Sequence, residues 1–254
     1  MTSHISTDAA YPGALQSSVT GWRRSKDFIF LIGLWLALLL AAGTLVGLIV
    51  DTFITGKSRL NREFLTGFPS PFPEETGIQS AFFGSIWVVV PAGVVALFVA
   101  ICTAIYLEEF ESKKSRFAGF VNINIQTLAG VPSIVFGILG LAFVARGPLS
   151  WGFTVRTASL VLGMMILPIN IVSAREAIRA VPPSLREGAY ALGATRWQCV
   201  RYQVLPAAVP GIATGSILGI SRALGESAPL IMLGALAYVS SNPSSFSDYY
   251  TVLP

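Results

Sequence analysis

Arg222 and Glu226 sit within an otherwise apolar run, Ala207 to Tyr238, where a charged side chain is costly unless a partner, a cavity or a ligand receives it. On a continuous helix their spacing of four residues makes them neighbours. An advance of about 100° per residue brings Gly211, Gly215 and Gly219 to the same face. The glycines form a small-xxx-small ladder, the pattern of close helix packing, and they predict that a helix of a second subunit approaches beside the charged pair. A guanidinium is always charged and offers a fork of donors matched to oxyanions. Glu226 would orient it and partly neutralise it, so that an anion is attracted without being trapped. The chemistry implied is binding and passage of an anion, and the arginine alone does not select phosphate. A structural salt bridge within a packed interface is the competing reading.

A second segment with parts of its own precedes that run. Residues 182–205 are moderately polar between two apolar stretches. Ser184 can cap a helix whose third residue is Glu187, a capping box. Gly193 can end that helix in a left-handed conformation, and a second short helix from Thr195 would return through Leu205 and Pro206. Such a pair of short helices makes a small protruding docking element. The alternative is a solvated loop that merely carries Arg186, Arg196 and Arg201.

The elements that must position these residues are membrane helices. Charged residues are 12% of the 254 and apolar types 53%, far from the roughly 25% charged of a soluble domain. Residues 1–27 form a polar tail. Residues 28–50 are uncharged and, at about 1.5 Å per residue, long enough for a hydrocarbon core of roughly 30 Å; they predict a retained first span rather than a cleaved signal. Residues 51–77, with Pro69, Pro71 and Pro73 alternating, predict an extended loop. Further spans are expected at 78–107, from Asn122 to Ala145, at 157–174 and at 207–238, giving an all-α polytopic protein with five spans. Residues 239–254 are too short and polar to cross. Eleven Lys and Arg, before the first span and after the second and fourth, lie on the side of the tail and the 182–205 loop, against five on the opposite side; this asymmetry predicts a cytoplasmic N-terminus and loop.

Four segments together carry a family resemblance: AIYLEEF at 104–110, LAGVPSIVFGILGLAFV at 128–144, SRALGESAPLIMLGA at 221–235, and LREGAYALGATRWQCVRYQVLPAAVPGI at 185–212. In combination they look like the PstA-type permease subunits of bacterial phosphate importers, a type-I ABC permease family, from about Ile78 onward. The resemblance implies a permease half in the inner membrane, paired with a paralogous permease subunit, two ATPase subunits and an extracytoplasmic phosphate-binding protein. Glu187, Gly188, Ala189, Ala191 and Gly193 would form the part of the docking loop that meets the ATPase. The family fold has six helices, so a sixth is expected to be missing. Many relatives carry an arginine near the end of the fourth span; here Val172 stands there, and Arg175, three residues on, is the candidate to line the pathway instead. Transport of sulfate, molybdate or phosphonate is the alternative within the class.

Other chemistries find little support in the sequence. His4 is the single histidine and no His/Cys cluster exists, so no metal site or cofactor is expected. Cys102 and Cys199 offer no disulfide framework. A membrane phosphatase or acyltransferase would need a nucleophile and base that these residues do not supply. TGKS at 55–58 resembles the end of a phosphate-binding loop, but Asp51 stands where its first glycine belongs. ATP hydrolysis is therefore expected on another subunit. The basic balance of +4 is explained by membrane boundaries and calls for no nucleic-acid partner. A secondary transporter, the remaining alternative, would not need a docking loop.

Overall fold

Long uncharged runs close their backbone hydrogen bonds internally when they leave water, and the computed structural model is accordingly helical. It describes residues 21–72, 75–111, 115–235 and 238–253. Residues 1–20 of the expected tail, with His4, lie outside them. The chain divides into two units, one ending at Leu60 and one beginning at Asn61. The first is a single helix, α1 (Gly21–Gly56), followed by a 3-10 turn at Lys57–Arg59. It extends beyond both bounds expected for the first span, because nothing at Asp27 or Asp51 breaks a helix.

The second unit starts with α2 (Arg62–Thr66), capped by Asn61, whose side chain accepts from the Phe64 amide at 2.8 Å. The loop expected to be wholly extended is therefore partly helical, the alternating prolines lying beyond α2. α3 (Gln79–Ile105) carries Pro91 internally and continues into a π-turn, Tyr106–Phe110. α6 (Val155–Arg179) lies along it. Ala92, Ala96, Ala100 and Ala104 recur every fourth residue on α3 and all are buried, and Gly163 of α6 sits against Ala92. Small side chains at that period let two helices approach closely without requiring a hydrophobic driving force from lipid.

The expected third span is not one helix. α4 (Arg116–Ala129), capped by Ser115, and α5 (Ser133–Leu139), extended by a π-turn at Gly140–Ala145, meet at a bend of 102°. Pro132 supplies no amide to continue the helical ladder, and it directly precedes α5. The expected fifth span is also interrupted. After α7 (Pro183–Ala191) and α8 (Arg196–Cys199), a π-turn at Val200–Val204 leads into α9 (Leu205–Leu224), which stops well before Tyr238; a short α10 (Ala228–Met232) follows. Four helical runs are long and apolar enough to cross a membrane, Lys26–Arg59, Gln79–Phe110, Val155–Arg179 and Arg196–Leu224, or five if the bent pair counts as one.

The two breaks lie close in space. α10 packs on α5, and a Cβ added at Gly137 would fall 2.7 Å from the Pro229 Cα. Residues 238–253 turn back over the starts of α3 and α6. The Val155 and Arg156 amides donate to the Asp248 and Phe246 carbonyls, and Leu253 donates to the Ser85 hydroxyl at 3.0 Å. Tyr250 is buried there, with its hydroxyl 3.3 Å from the Leu233 carbonyl.

Candidate functional site

α9 runs antiparallel to α6 in a register fixed by its glycines. Added Cβ atoms at Gly211, Gly215 and Gly219 would collide with Ala177, Ser173 and Asn170 respectively. The ladder does mediate close packing, but its partner is α6 of the same chain, which corrects the expectation that these glycines receive a second subunit. The Cα hydrogens admit α6 where any side chain would hold it off.

Following the same register, Arg222 in the last turn of α9 reaches the middle of α6. It helps to line a cavity of about 170 Å³ with Leu128, Ala129 and Val131 at the α4–α5 elbow, Phe136 of α5, and Met165, Ile169 and Val172 of α6. Gly225 ends the helix, its amide returning to the Ser221 and Arg222 carbonyls. Glu226 thus lies beyond the helix, not on the helical face the spacing implied. The pair nevertheless forms: Arg222 Nε is 3.4 Å from Glu226 Oε1. The Arg222 side chain remains 51% exposed within the chain, against 18% for Glu226. This is the one ion pair recorded for Arg222 among the described residues. The guanidinium thus keeps donors available beside apolar walls, where low polarizability strengthens its attraction for an anion.

Arg175 is placed differently. Its Nε donates to Glu108 Oε1 at 2.7 Å and its Nη1 to Asn122 Oδ1. The second Glu108 oxygen accepts from Arg179 Nε at 2.9 Å. Val172, one turn earlier, lines the Arg222 cavity, and Arg175 is absent from that lining. The structure therefore does not bring Arg175 and Arg222 to one site.

The 182–205 segment has the two expected short helices with different caps. Pro182 precedes α7 and no side chain caps it, so the anticipated Ser184–Glu187 box does not form; Ser184 is already inside the helix. A capping box occurs one helix later, where the Thr195 hydroxyl accepts from the Gln198 amide and Gln198 Oε1 accepts from the Thr195 amide. Gly193 ends α7 as expected, at φ +81°. Its amide donates to the Tyr190 carbonyl and that of Ala194 to Ala189, the paired bonds of a Schellman motif. Glu187, Gly188, Ala191 and Gly193 are exposed, while Ala189 is half-buried against the cluster of Ala174, Ile178 and Cys199. Leu192, at the tip, is 90% exposed.

Glu108 and Glu109 are the important residues that sequence reasoning passed over as a charged end to a span. Both are nearly buried, and Glu109 Oε1 accepts from Arg186 Nη2 at 2.8 Å. The signal was two adjacent carboxylates directly abutting an apolar run, but their partners are 67 to 77 residues away in sequence.

Comparisons with known proteins identify a family. Residues 96–253 match the family described as the binding-protein-dependent transport system inner membrane component. The chain is 30% identical over 213 residues to the probable ABC transporter permease protein YqgI of Bacillus subtilis (strain 168), covering 84% of this chain and 72% of that one. It is 36% identical over 163 residues to the phosphate transport system permease protein PstA of Mycobacterium leprae (strain TN), covering 63% and 53%. To the phosphate transport system permease protein PstC of the same organism it is 33% identical over 198 residues, covering 69% and 61%. It therefore spans from about half to nearly three-quarters of the length of these relatives. With its multiple apolar helices and a family match over more than half its length, the chain belongs to the inner-membrane permease components of binding-protein-dependent ABC transport systems.

Proposed function

We propose that this permease conducts inorganic phosphate, with Arg222 as the residue that draws the anion into the membrane. The observation that carries this reading is the position of Arg222: mid-way along α6, beside a cavity, where α4–α5 and α9–α10 both break. Irregular backbone at membrane depth is tolerated where it is buried in protein or lines a cavity, and broken helices at mid-depth are a recurrent way of building a solute site. Similarity to phosphate permeases supports phosphate as the solute.

A paralogous permease subunit would complete the pathway across from Arg222, and an extracytoplasmic phosphate-binding protein would deliver the anion. The ATPase dimer would hydrolyse ATP and receive α7 through Glu187, Gly188, Ala191 and Gly193, with Ala189 seating the helix on its own chain. The apolar Leu192 tip, protruding between two short helices, supports such a docking contact. The excess of basic residues on the docking side supports a cytoplasmic loop and N-terminus.

The test is uptake of radiolabelled phosphate by the complete complex in proteoliposomes, driven by internal or external ATP according to orientation. ATP-dependent uptake resisting excess sulfate and molybdate is the expected result. Uptake displaced by either competitor, or none with phosphate and some with sulfate, would reassign the solute.

A further inference from the structure

We propose that Glu109 and Arg186 form the latch through which the docking helix α7 moves the end of α3, so that the second span, and not α6 alone, is the lever of this permease. The inference rests on α7 being the ATPase-docking element and is independent of which anion is carried.

The π-turn at Tyr106–Phe110 closes α3 and presents two adjacent buried carboxylates to different partners. Glu108 joins the last turns of α6 through Arg175 and Arg179. Glu109 reaches past α6 to α7. There one guanidinium makes four hydrogen bonds: Arg186 Nε and Nη2 donate to Glu109 Oε1 at 3.1 and 2.8 Å, Nη1 to the Val181 carbonyl at 2.7 Å, and Nη2 to the Ile178 carbonyl at 2.9 Å. Arg186 therefore bonds carbonyls at and just beyond the C-terminus of α6 while holding the end of α3 from within α7. An ammonium could not span these acceptors, because its donors radiate from one point where the guanidinium fork is planar and extended.

Burial makes the link stiff. The side chains of Glu109 and Arg186 are 6% and 22% exposed, so water competes little for either charge. α7 otherwise packs chiefly on α8 and the Val200–Val204 turn, which lead into α9. A push on α7 thus reaches α9 through the chain and α3 through the ion pair. Both helices flank α6, and Arg222 ends α9. Because Glu108 also ties α3 to α6, the push would carry α3, α6 and α9 as one body past the α4–α5 elbow, which forms the other wall of the space beside Arg222.

The test uses the complete complex with inorganic phosphate as probe and compares Glu109→Gln and Arg186→Lys with the unmodified protein. Each variant is expected to hydrolyse ATP while phosphate moved per ATP falls by about ten-fold or more. A merely structural role would lower uptake and hydrolysis together, leaving their ratio unchanged, and that result overturns the latch. A solute-independent arm places nitroxides at Ser184 and Phe98 in a Cys102→Ala, Cys199→Ala background. With Glu109 intact, their separation is expected to stay constant between nucleotide-free and ATP-bound states, the two elements moving as one body; in Glu109→Gln it should change on ATP binding. Identical behaviour with and without Glu109 overturns the proposal. If Glu109→Gln fails to assemble, Glu109→Asp preserves the charge, shortens the reach by one methylene and is read the same way. Expected label behaviour without phosphate uptake in the unmodified protein would defeat the phosphate reading and leave the latch standing.

Discussion

The pair Arg222–Glu226 and the cluster of Glu108, Glu109, Arg175, Arg179 and Arg186 use the same two functional groups to opposite ends. In the cluster both Glu108 oxygens are bonded, at 2.7 and 2.9 Å, and Arg186 has four hydrogen bonds to one carboxylate and two carbonyls. At the Arg222 pair, beside the middle of α6, the single ion-pair contact is 3.4 Å long and half of the arginine side chain is open. A guanidinium whose donors are occupied holds helices together; one whose donors are free beside apolar walls can receive an anion. In the proposed reading, satisfaction of donors would separate transmission of force from handling of solute, a criterion that charge counting does not supply.

The largest effect that could break this contrast is at Glu108. Glu108→Ala leaves Arg175 buried without its carboxylate and is expected to destabilise the protein by about 3–5 kcal/mol, the cost of stranding one partner of a buried pair. Thermal unfolding in detergent measures it. A loss below about 1 kcal/mol would mean that the cluster behaves as a solvated surface pair, and the distinction from Arg222 would fail.

Next comes Arg222→Gln, where one long, half-exposed contact is lost and stability should change by about 1 kcal/mol or less. Uptake should fall on the order of 100-fold, the equivalent of nearly 3 kcal/mol of lost charge pairing with the solute. The double variant Arg222→Gln with Glu226→Gln sharpens the result, since it removes the carboxylate's repulsion of the anion. Assembly without uptake supports a role in the pathway; full uptake would reduce the pair to a structural bridge.

The contrast was only half visible in the sequence. Arg222 stands out because any charge in an apolar run is conspicuous, and Gly193 because a left-handed helix end suits glycine. Glu108 and Glu109 did not stand out, since charges at a span boundary are ordinary and the arginines that bury them come from α6 and α7. The breaks after Ala129 and Leu224 were hidden for a different reason. Apolarity reports residence in lipid or core, not helix continuity, so Gly225 and the Gly130–Pro132 step read as parts of continuous spans. That misreading is what carried Glu226 onto a helical face it does not occupy. The glycine ladder announced close packing but not its partner, because α6 and a foreign helix would impose the same pattern.

A smaller effect tests that partner. Gly215→Ala places a methyl against the Ser173 side chain and should cost about 1–3 kcal/mol, the range for overpacking a tight contact. Ser173→Gly in the same chain should recover most of it, as read by unfolding in detergent of the isolated subunit. Equal destabilisation in single and double variants would show that the α6–α9 contact is not what the methyl disturbs, and the proposed path from α7 to Arg222 would need another route.

The smallest effect lies in the C-terminal segment, away from both arginine sites, and concerns pH. Asp248 accepts from the Ser244 and Ser245 amides and from the Ser244 hydroxyl at 2.8–2.9 Å, and these bonds hold its carboxyl below the usual range. A depressed folded value means that the stabilisation is fully present above the unfolded carboxylate value of about 3.9 and is lost as pH falls through the lower folded value. The turn carries the Phe246 and Asp248 carbonyls that receive the Arg156 and Val155 amides at the start of α6. A nitroxide at Tyr249, which is exposed, should therefore report an unchanged mobility from pH 8 to about 5 and a rise only below about 4. Asp248→Asn should show the higher mobility at every pH. A transition between pH 5 and 8 would assign the order of this segment to some other group and remove Asp248 from the account.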